Sequence, residues 1–177
     1  MTHKLLLQKH CFLRFEDNLV NTEELLKEAN AENGYTPFVD QIHNKIIPGW
    51  YYKEATAEHP TALHLRDVYS KLFNLSGLRA RFYDQIPGYN IDFHKDRGTI
   101  CSFNFLLEGN YDPVIFGAPG IRYNCLYKFA LLNTQVHHAV MNIKVRRRLF
   151  KLSVYDKSFE EIASVLPNVL SSRQAKT

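Results

Sequence analysis

The 177-residue chain carries 22 Lys and Arg against 18 Asp and Glu, a net charge of +4, with 45% hydrophobic and 23% charged residues. That length suits one domain able to bury a core without staples, and the composition excludes a disordered chain. The mild charge excludes the concentrated basic stripe of a nucleic-acid binder while favouring, weakly, an anionic substrate.

Residues 4–15 alternate loosely and predict a strand leading into a first helix. Lys4, Lys9, His10 and Arg14 interrupt any signal-peptide core there, and no other stretch is long enough to cross a bilayer, so no membrane contact is expected. Asn21 starts the first helix as a capping residue, with Glu24 three positions on and Leu25, Leu26 and Ala29 along one face, ending near Asn33-Gly34. Residues 35–60 read as loop and short strand, punctuated by Pro37, Pro48-Gly49 and Pro60. A second helix is predicted over Thr61–Phe73, closed by Ser76-Gly77.

From Leu78 the texture changes to short alternating runs separated by turn residues. Strands are predicted near 78–86, 91–95, 99–107, 113–116, 121–123, 127–132, 136–142 and 147–155. Such spacing, with 13% aromatic residues, points to a mainly β sandwich or barrel with flanking helices. Ser158 with Glu161 opens a short final helix through Leu166. The expected plan is a single domain: helical support over 1–77, a β core over 78–157, and a closing helix and tail over 158–177. Cys11, Cys101 and Cys125 are widely spaced with no CxxC pair, which suits a reducing, cytoplasmic setting.

His94 and Asp96 stand two apart on a predicted strand, so both side chains leave the same face. An imidazole and a carboxylate so placed offer two adjacent ligands to an octahedral metal. A second imidazole from a distant strand would complete the two-His-one-carboxylate triad of non-haem iron oxygenases. Alone the motif is weak, since His-x-Asp arises by chance and His94 also reads as a polar strand-edge residue. Downstream stands His138, with Arg148 ten residues later. By parity Arg148, Phe150, Leu152 and Val154 share the more apolar face of the last strand, where a guanidinium needs a carboxylate partner. That partner is either an internal Asp or Glu or a bound diacid.

The run from Arg81 to Asp156, with HKD at 94–96, LLNTQVHHAVMN at 131–142 and RRRLFKLSV at 146–154, resembles the 2-oxoglutarate/Fe(II) oxygenase superfamily. It is most similar to small bacterial and phage members related to prolyl 4-hydroxylases and aspartyl/asparaginyl hydroxylases. The resemblance covers under half of the chain, and the interval from Asp96 to His138 is short for the family. It implies a double-stranded β-helix (jelly roll, cupin-like) with His94, Asp96 and His138 holding Fe(II) and Arg148 anchoring 2-oxoglutarate, with O2 as the other reactant. His137 then points outward or supports the ligands from outside. Tyr83 and Asn104 are candidates for hydrogen bonds to a 2-oxoglutarate carboxylate, with plain packing as an equal alternative; Asn142 is a candidate for orienting the distal histidine. Arg146 and Arg147 read as a solvated basic cluster. The implied activity is hydroxylation of a C–H bond of a protein side chain, amino acid or small metabolite, with succinate and CO2 released; nucleic acid is a less favoured substrate. Two rivals are a cupin-like metal enzyme without 2-oxoglutarate and a non-catalytic jelly-roll binding module.

Overall fold

Two antiparallel sheets face each other in the computed structural model, which describes residues 9–31, 34–40, 44–109, 113–118, 121–141 and 143–174, side chains at 40, 118 and 170–174 excepted. In chain order the elements are β1 (Phe12–Arg14), α1 (Thr22–Asn30), β2 (Thr36–Asp40), β3 (Lys45–Glu54), α2 (Pro60–Phe73), β4 (Leu78–Gln85) and β5 (Ile91–His94). There follow β6 (Cys101–Glu108), β7 (Val114–Ala118), β8 (Ile121–Cys125), β9 (Phe129–Leu132), β10 (His138–Val140), β11 (Arg147–Val154) and α3 (Phe159–Gln174). The larger sheet runs β1-β9-β6-β11-β4-β3-β2 and the smaller β5-β10-β7-β8. This is the expected double-stranded β-helix with flanking helices.

The larger sheet is buried on both faces, and each face has its own core. On the outer face, Phe82, Phe103, Phe105, Phe150, Leu152 and Val154 pack under Leu25 of α1, Leu65 and Tyr69 of α2, and Phe159, Ile162 and Leu166 of α3. The Tyr69 ring meets that of Phe103 edge-on at 4.8 Å, a favourable aromatic geometry. The inner face turns Trp50, Tyr83, Leu106 and Leu149 towards Phe116 and Val140 of the smaller sheet.

Asn21 caps α1 as expected, its side chain accepting from the Glu24 amide at 3.2 Å. Nothing caps α2 from its own first residue; instead the Glu28 carboxylate of α1 accepts the Thr61 and Ala62 amides at 2.7 and 3.1 Å. That ties the two helices together over the sheet.

Two expectations differ from the structure. Residues 35–60 are not mainly loop: β2 and the ten-residue β3 join the larger sheet, so the chain before residue 78 supplies three strands as well as helices. Pro37 lies on the edge strand, where a missing N–H is tolerated. Gly49 has φ 72°, and any Cβ there would lie 2.2 Å from the Tyr89 ring, so the Pro48-Gly49 pair marks a close approach inside a strand and not its end. The final helix also runs on through Pro167 to Gln174, past its expected end at Leu166. Residues 4–8 of the first expected strand and Asn142 lie outside the described residues. No helix among the described residues is long and apolar enough to cross a membrane.

Phe150 is fully buried midway along β11, beneath the helices. Phe150→Ala should lower the unfolding free energy by about 3–5 kcal/mol, measured by chemical denaturation.

Candidate metal centre and cavity

The two imidazoles come together through strand pairing. In the smaller sheet β10 lies beside β5 with His138 directly opposite His94, and the ring centroids are 4.4 Å apart. Each ring is oriented by its own chain: His94 Nδ1 lies 2.8 Å from the Asp92 carbonyl, and His138 Nδ1 lies 3.0 Å from the Val136 carbonyl. A carbonyl can only accept, so in the neutral rings both Nδ1 atoms carry the proton and each Nε2 offers its lone pair towards Asp96 Oδ1, where a metal could sit.

Asp96 sits just past the end of β5, where its amide donates to the Thr134 carbonyl at 3.0 Å. Its Oδ1 lies 3.4 Å from His94 Nε2 and 3.5 Å from His138 Nε2. One donor atom from each of the three residues falls within 4.8 Å of the others. Two imidazoles and a carboxylate meeting on one side are the donor set that non-haem Fe(II) accepts.

The other oxygen of Asp96 is engaged: Lys151 Nζ donates to Oδ2 at 2.7 Å. Burial alone would raise the Asp96 pKa, but the Lys151 ammonium and the two imidazoles outweigh it and hold the carboxyl well below its usual range. Burial likewise works against charge on Lys151, yet Asp96 and Tyr83 keep it protonated, with its pKa raised. Burial works against charge on the His94 ring, yet with no metal bound Asp96 and the Asp92 carbonyl favour the protonated form and raise its pKa.

Along β11 from Lys151, on the same inner face, lies Arg147, which is 1% exposed. Its Nη2 donates to the Tyr127 hydroxyl at 2.6 Å, while Nε and Nη1 are buried with no protein partner. Asn104 Nδ2 donates to the same Tyr127 oxygen at 3.3 Å, and Asn104 Oδ1 accepts from Ser102 Oγ at 2.8 Å. The Tyr127 oxygen therefore accepts twice, which leaves its own proton to be donated. Two buried guanidinium donors without a partner could take an anion, and a carboxylate would match the planar, two-bond geometry that arginine favours. In the same row across β3, β4 and β11, Trp50 Nε1 and Gln85 Oε1 are also buried without partners.

No protein-family model matches the sequence, and no curated protein matches it. Solved structures do. A Pseudomonas putida prolyl-4-hydroxylase superposes with TM-score 0.65 at 14% identity, over 86% of this chain and 96% of that one. A Trichoplax adhaerens prolyl hydroxylase, in complex with a hypoxia inducible factor oxygen degradation domain peptide fragment, gives 0.71 at 12% identity over 91% and 90%. A Burkholderia pseudomallei oxidoreductase of the 2OG-Fe(II) oxygenase family gives 0.61 at 11% identity over 88% and 89%. The chain has the fold of these 2OG-Fe(II) oxygenases.

Within that oxygenase fold, His94, Asp96 and His138 gather as the motifs led one to expect, and His137 is exposed, its carbonyl accepting from Gly117. Tyr83 and Asn104 both lie on the inner face of the larger sheet. Arg148 does not. It lies on the outer face, where Nη1 donates to Glu108 at 2.8 Å and to Asn30 of α1. The internal ion pair, not the bound diacid, is therefore its partner. Arg147, taken from sequence as part of a solvated basic cluster, is the buried guanidinium instead, nine residues after His138. Parity separated the two arginines correctly, but the more apolar face of β11 is the one beneath the helices, not the one lining the cavity. Arg146 grips Asp84 through Nε at 2.8 Å and through Nη2. Tyr127 and Lys151 were missed; the alternation that places Lys151 beside Arg147 was the available signal, whereas nothing local marks Tyr127.

The three cysteines are free and buried, and burial pushes the Cys101 and Cys125 thiols up to about 12, so neither is a reactive thiolate.

Tyr127→Phe removes the acceptor on which Arg147 and Asn104 converge. It should destabilise the protein by about 1–3 kcal/mol in denaturant melts, the penalty for orphaned buried donors.

Proposed function

We infer that this chain is an Fe(II)- and 2-oxoglutarate-dependent oxygenase that hydroxylates a C–H bond, with a peptide side chain as the first choice of substrate. The observation carrying this reading is the pairing of a His-Asp-His cluster with a buried, half-satisfied guanidinium on the strand face whose Lys151 reaches Asp96. A metal enzyme without an oxo acid has no use for Arg147, and a plain binding module has no use for the three converging donors. Bound Fe(II) and 2-oxoglutarate would supply the chemistry: O2 is split between succinate, formed with loss of CO2, and the hydroxyl placed on the substrate carbon.

The chain's own residues do the placing. His94 Nε2, His138 Nε2 and Asp96 Oδ1 would hold the metal. Arg147 Nε and Nη1, with the Tyr127 proton, take the distal carboxylate of the diacid. Tyr83 and Asn104 border that path as further hydrogen-bonding groups, while Leu106, Leu149, Phe116 and Val140 keep the cavity dry. A peptide substrate is favoured because a neighbour of the same fold is seen with a peptide fragment; an amino acid or small metabolite is the second reading. Buried free thiols fit a reducing, cytoplasmic setting.

Succinate release from 2-oxoglutarate in the presence of Fe(II) is the direct test, and Asp96→Ala should abolish it. Arg147→Met should raise the KM for 2-oxoglutarate by 30-fold or more, in line with about 2–5 kcal/mol for deleting one partner of a buried charge pair. Arg148→Met should leave that KM within about threefold, because Arg148 lies on the outer face, paired with Glu108. A larger effect at Arg148 than at Arg147 would overturn the anchor assignment.

A further inference from the structure

Lys151 is a further cation on the inner face of the larger sheet, beside Asp96, and the reading above gives it no task. It lies on the inner face of β11 four residues beyond Arg147, so at about 3.3 Å per residue the two Cα atoms are roughly 13 Å apart. Its neighbours across the sheet are Arg81 on β4 and Asn104 on β6, and its ammonium sits 6.0 Å from the centre of the Tyr83 ring. Among the described residues, Asp96 is its carboxylate partner.

That contact is unusual chemically. A metal-binding carboxylate normally gains from an undivided negative charge, yet here an ammonium neutralises half of it at 2.7 Å. The triad with Lys151 has no net formal charge, and a divalent metal would bring the cluster to +2 instead of +1. The ammonium takes Oδ2, so Asp96 turns only Oδ1 towards the two imidazoles. Any anion held beside that oxygen comes within a few Å of the ammonium, in a cavity whose low dielectric strengthens the attraction.

We propose that Lys151 is a co-substrate-binding residue which attracts the chelating carboxylate end of the 2-oxo acid, as Arg147 takes the distal end, so that one strand face holds both ends of a diacid. This rests on the oxygenase reading, and the following measurements separate failure of one from failure of the other.

Mn(II) binding to the wild-type protein is measured first, by loss of the free Mn(II) electron paramagnetic resonance signal. Absence of binding would sink the oxygenase reading itself. N-oxalylglycine binding to the Mn(II)-loaded protein is then followed by calorimetry in wild type, Lys151→Met and Lys151→Gln. Glutamine can still donate to Asp96 but carries no charge, and serves if the methionine variant does not fold. Both variants should bind N-oxalylglycine at least tenfold more weakly, while Mn(II) alone binds at least as tightly as in wild type, since a neighbouring cation has been removed. Lys151→Arg should restore the N-oxalylglycine affinity to within about threefold. If the uncharged variants bind N-oxalylglycine as wild type does, or lose Mn(II) affinity tenfold while keeping that for N-oxalylglycine, Lys151 is only a prop for Asp96 and the proposal fails.

Discussion

The alternation of side chains along β11 is the constraint on which both the core and the site depend. Its even-numbered residues, Phe150, Leu152 and Val154, enter the core beneath the helices, while Leu149 enters the cavity core beside Arg147 and Lys151. A slip of one residue would exchange the two sets and place the site's cations under the helices. The strand is held against such a slip from both sides, by pairing with β4 along its whole length and with β6 across a bulge at Arg148/Leu149. The bulge leaves Arg148 opposite Glu108, which gives that arginine its ion pair on the outer face.

The smaller sheet solves a different problem, the orientation of two imidazoles. Pairing β5 with β10 sets His94 opposite His138, and each Nδ1 is fixed by a carbonyl two residues earlier in its own chain. The ring orientations therefore need no long-range contact. Asp96, beyond the strand end, is positioned instead by the backbone bond to Thr134 and by Lys151. Gln135 Nε2 adds bonds to the Asp96 and Thr99 carbonyls that hold the two loops together. The carboxylate is thus the most externally supported of the three donors.

The charge layout of the cavity follows from these placements. Around Asp96 the carboxylate is shared between two imidazoles and an ammonium; at the other end of β11's inner face a guanidinium has two donors unsatisfied. Leaving such donors unpaired in a dry interior is costly, and an anion is the partner that would suit them. The outer-face arginines differ in degree: Arg146 and Arg148 pair with Asp84 and Glu108, and although Arg148 Nε is also buried without a hydrogen bond, its charge already has a carboxylate partner.

Much of this was readable in the residues. Local patterns set the cap of α1 at Asn21, the span of α2, the succession of short strands after Leu78, and His94 and Asp96 as neighbours at the end of one of them, because capping bonds, turn residues and a period of two act over a few residues. The long strand β3 escaped notice, since Pro48-Gly49 has the composition of a break and only the pairing with β4 makes a strand of it. Tyr127 meets Arg147 across 20 residues of sequence, and Lys151 meets Asp96 across 55, distances over which no local signal reaches. The two faces of β11 were separable from sequence, but which of them lines the cavity was not. With helices covering one side of the sheet and a second sheet the other, both faces are buried, and only tertiary packing decides that the greasier one is roofed by helices and the more polar one faces the second sheet.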